Sequence, residues 1–221
     1  MMMKYLSMSL LALSMTAPAV LADESKTPGI SLDGLELVEQ DRRGEIYADP
    51  NVDWSVYTEI QLDRASVAFR KNWQRDQNRY DAFKVRASDM EQIKTSLADL
   101  FDEVFSQELS GDGGYTITTA SGDQVLRIEP QIVDLDVYAP DTMRAGMSRS
   151  YVDSAGRMTL KLFMYDSVTG DLIATASDRR EAPRRGYAQW ANSVSNQAEA
   201  RRMLQFWARA LRERLDEARA H

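Results

Sequence analysis

The sequence predicts an α+β domain of two layers, in which a mostly antiparallel sheet carries two long helices on one face. Several segments alternate apolar and polar residues at a period of two, as half-buried strands do, whereas two longer segments repeat apolar residues at helical spacing. A chain of 221 residues with 43% apolar and 28% charged residues can bury the single core that such a fold needs. A two-layer stack is the simplest arrangement that buries both helical stripes.

The predicted strands follow from alternation and from turn residues. The segment Trp54–Leu62 alternates throughout, and the clearest hairpin pairs Met158–Tyr165 with Leu172–Ser177. In the long extended run Val125–Tyr138 the alternation changes register near Ile132, which predicts a β-bulge or bend there. The remaining predicted strands are Ala65–Phe69 and Tyr115–Thr119.

The two predicted helices are Ser88–Leu109 and Asn196–Ala218. Their first residues are the predicted N-caps, because each is followed three residues later by a glutamate that completes a capping box. The polar segment Gln74–Phe83 is predicted to be a loop or a turn of helix. No apolar run after the N-terminus is long enough to span a bilayer.

The N-terminus predicts export. Residues 1–22 contain one cation, Lys4, then an apolar run, and then small residues that end at Ala22, which together are typical of a cleavable secretory signal peptide. Residues 23–33 are turn-rich and are predicted to be a flexible lead-in, so that residues 34–221 form a single α+β domain. The chain has no cysteine for a lipid anchor. We therefore expect a soluble, unlipidated periplasmic protein with no integral membrane segment after signal cleavage.

Composition argues against most catalytic chemistry. There is no cysteine, and the one histidine is the last residue, His221. Thiol nucleophiles, Cys/His zinc sites and histidine-based triads are therefore excluded, and the sequence predicts no catalytic residue, no metal site and no cofactor. The formal net charge of −7 argues against nucleic acid as a partner. We expect a protein that is not an enzyme.

Three aspartates, two of them in a predicted strand, resemble a paired-carboxylate or cation site. Asp134 and Asp136 alternate with apolar residues along one strand, which places both on a solvated face. Asp153 belongs to the same set. We expect Asp134 and Asp136 to be surface residues, and none of the three to act in acid–base chemistry or cation binding.

The turn of the predicted hairpin resembles part of a calcium loop. Asp166, Thr169 and Asp171 lie in it, but the full ligand spacing is missing. An Asx turn that closes the hairpin explains these residues better. The glycine-rich segment Gly111–Gly114 follows a helix, so it predicts a helix end and no phosphate site.

The stretch after the hairpin carries the one candidate binding site. Guanidinium groups beside aromatic rings suit phosphate, carboxylate or glycan groups, or an acidic protein surface. Arg179 and Arg180 adjoin the strand and are predicted to be structural, paired with Asp171, Asp178 or Glu181. An alternative is that the whole stretch is scaffold and that its tryptophan belongs to the core. The predicted binding residues are Arg184, Arg185, Tyr187 and Trp190.

Several motifs resemble an uncharacterised bacterial envelope family, domain of unknown function thirty-three-thirteen. The resemblance spans roughly residues 34–215 and implies a secreted domain, often a lipoprotein, with no established activity and no catalytic residues to transfer. This sequence lacks the lipidation cysteine of many members. The motifs are Asp53–Tyr57, Trp73, Asp166–Ala174, Asp178–Arg180 and the late Trp207 with Leu211 and Leu215.

Two functions fit these observations. The first is a non-catalytic interaction or accessory module of an envelope assembly or transport system, with an envelope protein as partner. The alternative is a periplasmic binding module for a small amphiphile or glycan, held in a cleft between the layers. A pocket lined by Trp54, Trp73 or Trp190 would favour the second function, and a flat exposed apolar patch would favour the first.

Overall fold

Within the described residues of the structure, a computed structural model, six strands correspond to predicted strands and four were not predicted. The structure describes residue 32 and residues 34–80, 84–137, 150–152, 156–182, 189–191 and 193–220. In these residues the strands are β1 (Glu36–Gln40), β2 (Gly44–Ala48), β3 (Glu59–Leu62), β4 (Ser66–Phe69), β5 (Thr116–Thr118), β6 (Val125–Val137), β7 (Ser150–Val152), β8 (Gly156–Asp166), β9 (Leu172–Glu181) and β10 (Gln189–Ala191).

Eight of these strands form one mixed, mostly antiparallel sheet. Its order is β1-β2-β9-β8-β6-β3-β5, and β4 pairs with the second half of β6. The four pairs from β1 to β6 are antiparallel, whereas β3 and β4 run parallel to β6, and β5 runs parallel to β3. The predicted hairpin of β8 and β9 is confirmed, and both strands extend beyond the predicted bounds. β7 and β10 form a separate two-stranded sheet.

The predicted bulge in β6 is confirmed. Val133 pairs with Thr159, and Asp136 pairs with Arg157, so β6 has one extra residue between these pairs. Asp134 occupies the bulge with a φ of 52°, in the left-handed region that aspartate tolerates better than most residues. The bulge changes which face the following residues point to, because side chains alternate along a strand.

The helices are α1 (Trp73–Tyr80), α2 (Ala87–Ser110) and α3 (Ser193–Arg219). The segment predicted as a loop or a turn of helix is therefore the two-turn helix α1. α2 and α3 contact each other, and the structure shows the apolar side chains of both in one buried cluster with residues of β3, β6, β8 and β9. No helix within the described residues combines the length and apolar composition needed to cross a membrane.

The starts of the long helices differ from the prediction. α2 begins at Ala87, because the carboxylate of Asp89 accepts the backbone N–H of Arg86 at 2.8 Å and thereby caps the helix earlier than Ser88 could. Glu91, the predicted capping partner, pairs with Lys94 at 2.8 Å instead. α3 begins three residues before the predicted cap, Asn196.

The predicted strand Trp54–Leu62 is wrong in its first half. Trp54–Val56 forms a short 3-10 helix, because the carboxylate of Asp53 accepts hydrogen bonds from the backbone N–H and the hydroxyl of Ser55, at 3.0 and 2.6 Å. An aspartate that bonds its own following backbone favours a turn over a strand. The strand starts only at Glu59.

Candidate functional site

One end of the large sheet collects arginines from separate parts of the sequence. The turn between β1 and β2 reads Asp41-Arg42-Arg43, and the end of β9 contains the same tripeptide, Asp178-Arg179-Arg180. β2 and β9 are antiparallel neighbours in which Gly44 pairs with Asp178. The backbone N–H of Arg179 donates to the carbonyl of Arg43 at 3.0 Å. The two Asp-Arg-Arg tripeptides therefore lie side by side.

Asp41 organises the first tripeptide as an Asx turn. One carboxylate oxygen accepts the backbone N–H groups of Arg43 and Gly44, at 2.7 and 2.9 Å. The other oxygen accepts from the Arg43 guanidinium at 3.1 and 3.2 Å. The backbone hydrogen bonds, and then the guanidinium, hold the pKa of Asp41 below its ordinary value, since they stabilise the ionised form. Arg42, between the two partners, is exposed.

Asp178 organises the second tripeptide. Its Oδ2 accepts from Arg180 Nε at 2.8 Å and from the indole Nε1 of Trp207, on α3, at 2.6 Å. The predicted structural role of Arg180, paired with Asp178, is confirmed. The Arg180 guanidinium also lies 3.3 Å from the centre of the Phe206 ring, and Phe206 is 48% exposed. Arg179 points the opposite way from Asp178, since side chains alternate along a strand, and it is exposed. The predicted pairing of Arg179 with a carboxylate is therefore not found among the described residues.

A second cluster lies where β6 ends and β8 begins. Asp136 is 1% exposed, and its Oδ2 lies 2.9 Å from both Arg70 Nε and Arg157 Nη2. Arg70 also donates to Asp76 of α1 at 2.7 Å. The prediction that Asp136 lies on a solvated face is wrong. The bulge turns this residue toward Arg157, and Arg70, which precedes α1, covers it. The other oxygen of Asp136 is buried without a hydrogen bond.

The remaining predictions for acidic residues concern Asp134, Asp153 and the hairpin turn. Asp134 is exposed, as predicted, whereas Asp153 lies outside the described residues. The Asx turn of the hairpin is confirmed: Asp166 Oδ1 accepts the N–H groups of Val168 and Thr169 at 2.9 and 2.8 Å. These bonds and one from Tyr57 hold the pKa of Asp166 below its ordinary value.

Most of the predicted binding residues lie outside the described part of the chain. Arg184, Arg185 and Tyr187 lie outside it, so their predicted role stays a prediction. Trp190 lies on β10, where it pairs with Tyr151 of β7. The predicted arginine-rich stretch directly follows β9, and thus starts beside the two Asp-Arg-Arg tripeptides.

Two of the tryptophans that could line a ligand pocket pack against other side chains of the protein. Trp73 is 1% exposed, stacks on Phe69 with ring centres 4.2 Å apart, and donates from its indole to the carbonyl of Val137 at 3.2 Å. Trp54 packs against the main core. Among the described residues, no three His, Cys, Asp or Glu side chains gather closely enough to hold a metal ion.

Sequence reasoning missed the partner of the predicted arginine stretch. Arg42 and Arg43 lie more than a hundred residues before Arg179 and Arg180, and only the β2–β9 pairing brings them together. One signal was present: the tripeptide Asp-Arg-Arg occurs in both places. The repeat could have suggested two similar turns, although not their contact.

Several solved structures resemble this chain at low sequence identity. A protein of the family DUF330 from Xanthomonas campestris shares 12% identity and a TM-score of 0.42, with 74% of this chain and 86% of that chain covered. The PelC dodecamer from Paraburkholderia phytofirmans shares 11% identity and a TM-score of 0.33, with 73% and 95% covered. A homolog of the neuraminyllactose-binding hemagglutinin from Helicobacter pylori shares 13% identity and a TM-score of 0.33, with 74% and 94% covered.

The sequence comparisons identify the family and nothing finer. No curated protein matches this chain. The profile of one family matches residues 30–211, which is most of the chain. The resemblance inferred from the motifs is thereby confirmed: the chain belongs to the family described as "Protein of unknown function (DUF3313)".

Proposed function

We propose that this protein is a non-catalytic interaction module of the bacterial cell envelope, which holds a partner protein through the arginine-rich stretch that begins at the end of β9. One observation carries the proposal. Arg179 is exposed at the end of that strand, and within the described residues its guanidinium has no carboxylate partner. An exposed guanidinium on a rigid strand is pre-positioned to bind a carboxylate on another molecule.

The continuation of the chain supports the same surface. Arg184 and Arg185 follow Arg179 within six residues, in a protein whose formal net charge is −7. A local concentration of cations on an acidic protein attracts an acidic partner. Neighbouring Arg180 is held by Asp178, as the sequence predicted, whereas Arg179, which the sequence predicted to be structural, has no carboxylate partner within the described residues.

The proposal includes the route and the architecture. Residues 1–22 serve as the signal peptide, and the mature protein works in the periplasm, because the N-terminal pattern is typical of an exported chain. Both long helices pack on one face of the sheet. This arrangement is supported by the even-numbered residues of β6 and β8, which share the buried cluster with the apolar side chains of α2 and α3.

The alternative function, binding of a small amphiphile or glycan, now depends on Trp190. Trp54 and Trp73 were the other two candidates for a lining, and both pack against protein side chains. We therefore favour a protein partner.

The test is crosslinking capture from the periplasm with a double variant, Arg184→Ala with Arg185→Ala. The matched control is Arg75→Ala with Arg209→Ala, which removes two exposed guanidiniums elsewhere. We expect the first variant to lose the captured protein, to lose the salt sensitivity of capture, and to keep the wild-type unfolding midpoint. Equal capture by the wild type and the double variant would overturn the proposal.

A further inference from the structure

We infer that the two Asp-Arg-Arg tripeptides form a single docking surface for an acidic segment of a partner protein, with Arg42 and Arg179 as the residues that bind its carboxylates. The inference rests on the proposed function and names the chemistry of the partner. It also extends the surface to the β1–β2 turn, which is distant in the sequence from the stretch after β9.

The first step is that each tripeptide contains one paired arginine and one exposed arginine. In both, the aspartate binds the arginine two residues later: Asp41 binds Arg43, and Asp178 binds Arg180. In both, the middle arginine is exposed, and no carboxylate of the described residues pairs with it. The same local arrangement thus leaves one guanidinium available in each tripeptide, Arg42 and Arg179.

The second step is their proximity. A Cβ atom on Gly44 would lie 1.7 Å from the carbonyl oxygen of Ser177, so only glycine allows β2 to approach β9 at this point. The hydrogen bond from the N–H of Arg179 to the carbonyl of Arg43 fixes the two tripeptides against each other. Arg43 Nε lies 3.9 Å from Asp178 Oδ1, which adds an ion pair across the junction. Two guanidiniums held on one junction can contact one short segment.

The third step distinguishes a protein from a simple anion. Phe206 is 48% exposed, and its ring lies against the Arg180 guanidinium. Interfaces between proteins are enriched in aromatic residues and arginine, whereas a site for a free phosphate needs no exposed ring. Phe206 and Arg180 lie on the α3 side of the sheet, whereas Arg179 points to the opposite side, so a segment that contacts both passes over the end of β9. An apolar side chain of such a segment can pack on the ring. We therefore expect a segment that combines Asp or Glu with an apolar residue.

The test uses a fluorescein-labelled peptide that repeats the sequence Asp-Glu-Glu-Leu three times, with a peptide that repeats Asn-Gln-Gln-Leu as the neutral control. Fluorescence anisotropy gives the Kd for the full chain. We expect Arg42→Ala and Arg179→Ala each to weaken binding about three- to tenfold at low salt, with a smaller effect at high salt. Phe206→Ala should weaken binding without changing its salt dependence. Arg75→Ala, at an exposed arginine on α1, is the matched control and should leave the Kd unchanged.

Several outcomes overturn the inference. If Arg42→Ala binds the peptide as the wild type does, the β1–β2 turn is not part of the surface. If the same variants affect only vesicles that contain phosphatidylglycerol, the ligand is a lipid surface. If the wild type is a dimer in solution and Arg42→Ala is a monomer, the occupant is a second copy.

These outcomes separate the inference from the proposed function. If Arg184→Ala with Arg185→Ala abolishes capture while Arg42→Ala changes neither capture nor peptide binding, the proposed function stands and this inference fails. If capture survives the double variant while Arg42→Ala and Arg179→Ala weaken peptide binding, the docking surface stands without the segment after β9.

Discussion

Asp136 is a buried carboxylate whose charge is balanced by two arginines from different elements. Arg70 precedes α1, and Arg157 lies on β8, so one side chain joins three parts of the chain. Removing the carboxylate takes the buried counter-ion from two guanidiniums that lie partly out of water, of which Arg70 keeps Asp76 as a partner, and this costs more than losing an exposed ion pair. The residue is therefore structural, although its sequence context resembles that of a surface aspartate.

We predict that Asp136→Ala lowers the free energy of unfolding by roughly 2–4 kcal/mol. Asp171→Ala, at an exposed aspartate in the hairpin turn, is the control and should change it by less than about 0.5 kcal/mol. Urea midpoints measure both. Equal midpoints for the two variants would mean that the Asp136 cluster contributes no stability.

Tyr57 couples stability to alkaline pH. Burial raises its pKa to about 12, and the hydrogen bond that it donates to Asp166 at 3.0 Å, with the nearby negative charge, adds to the shift. In the unfolded chain a tyrosine ionises near pH 10. The folded state thus retains a proton that the unfolded state loses, so the stability present below about pH 10 is lost as the pH rises toward 12.

We predict that the thermal midpoint of the wild type falls between pH 10 and 12 and that the fall is smaller in Tyr57→Phe. Part of the slope should remain, because burial also raises the pKa of Tyr115 and Tyr165. Melting curves at a series of pH values measure the slope. An identical slope in the wild type and the variant would contradict the assignment.

At the scale of elements, Arg212 connects the two long helices. It lies on α3, and its Nη1 donates to the carbonyls of Leu109 and Gly111 at 3.0 Å. The last carbonyls of a helix have no partner within it, so this guanidinium stabilises the end of α2. Its Nε pairs with Asp216 at 2.7 Å, which fixes the side chain in place.

We predict that Arg212→Ala lowers the free energy of unfolding by about 1–3 kcal/mol, because it removes charge-assisted hydrogen bonds and leaves the carbonyls of Leu109 and Gly111 with only the backbone N–H groups of Tyr115 and Gly114 as donors. Arg209→Ala is the control on the same helix: it is exposed and lies 4.0 Å from Glu108. We expect an effect of at most about 0.5 kcal/mol there. Urea denaturation of the two variants decides, and comparable losses would show that any arginine on α3 contributes as much.

The junction of β2 with β9 depends on Gly44, since a side chain there meets the backbone of Ser177. We predict that Gly44→Ala lowers the free energy of unfolding by about 1–3 kcal/mol through overpacking and weakens acidic peptide binding as Arg42→Ala does. The control is Gly122→Ala, whose added Cβ meets only a methyl of Val125 at 3.4 Å. If Gly44→Ala keeps the wild-type Kd, the two tripeptides act independently.

The elements differ in how far the sequence predicts them. Hairpin β8–β9, strand β6 and its bulge follow from alternation and turn residues, because these patterns reflect local burial directly. The strand predicted at Trp54 is wrong because alternation also occurs by chance in short runs, and the carboxylate of Asp53 decides in favour of a turn. α1 is too polar for its helical spacing to be recognised. The start of α2 depends on one hydrogen bond, from Arg86 to Asp89.

At the scale of the whole molecule, the candidate site is a product of topology. β1 and β2 precede β9 by more than a hundred residues, yet they extend the sheet at its β9 edge. No local pattern specifies that order. The sequence predicted an arginine stretch and the structural role of Arg180, but it wrongly assigned the same role to Arg179. The contribution of Arg42 and Arg43 could only come from strand pairing. Asp136 was mispredicted for the same reason, since its partners are distant in sequence.

The export proposal leads to a prediction for the intact protein. Signal peptidase cleaves after small residues that follow an apolar run, and Ala22 is the residue where this pattern ends. We expect the mature protein in the osmotic-shock fraction to begin at Asp23. Since no cysteine lies beside this position, we expect its release without detergent. N-terminal sequencing and mass spectrometry of that fraction measure both expectations. Recovery only in detergent, with Met1 retained, would mean that the segment is a membrane anchor, and the docking surface would then act on partners at the membrane.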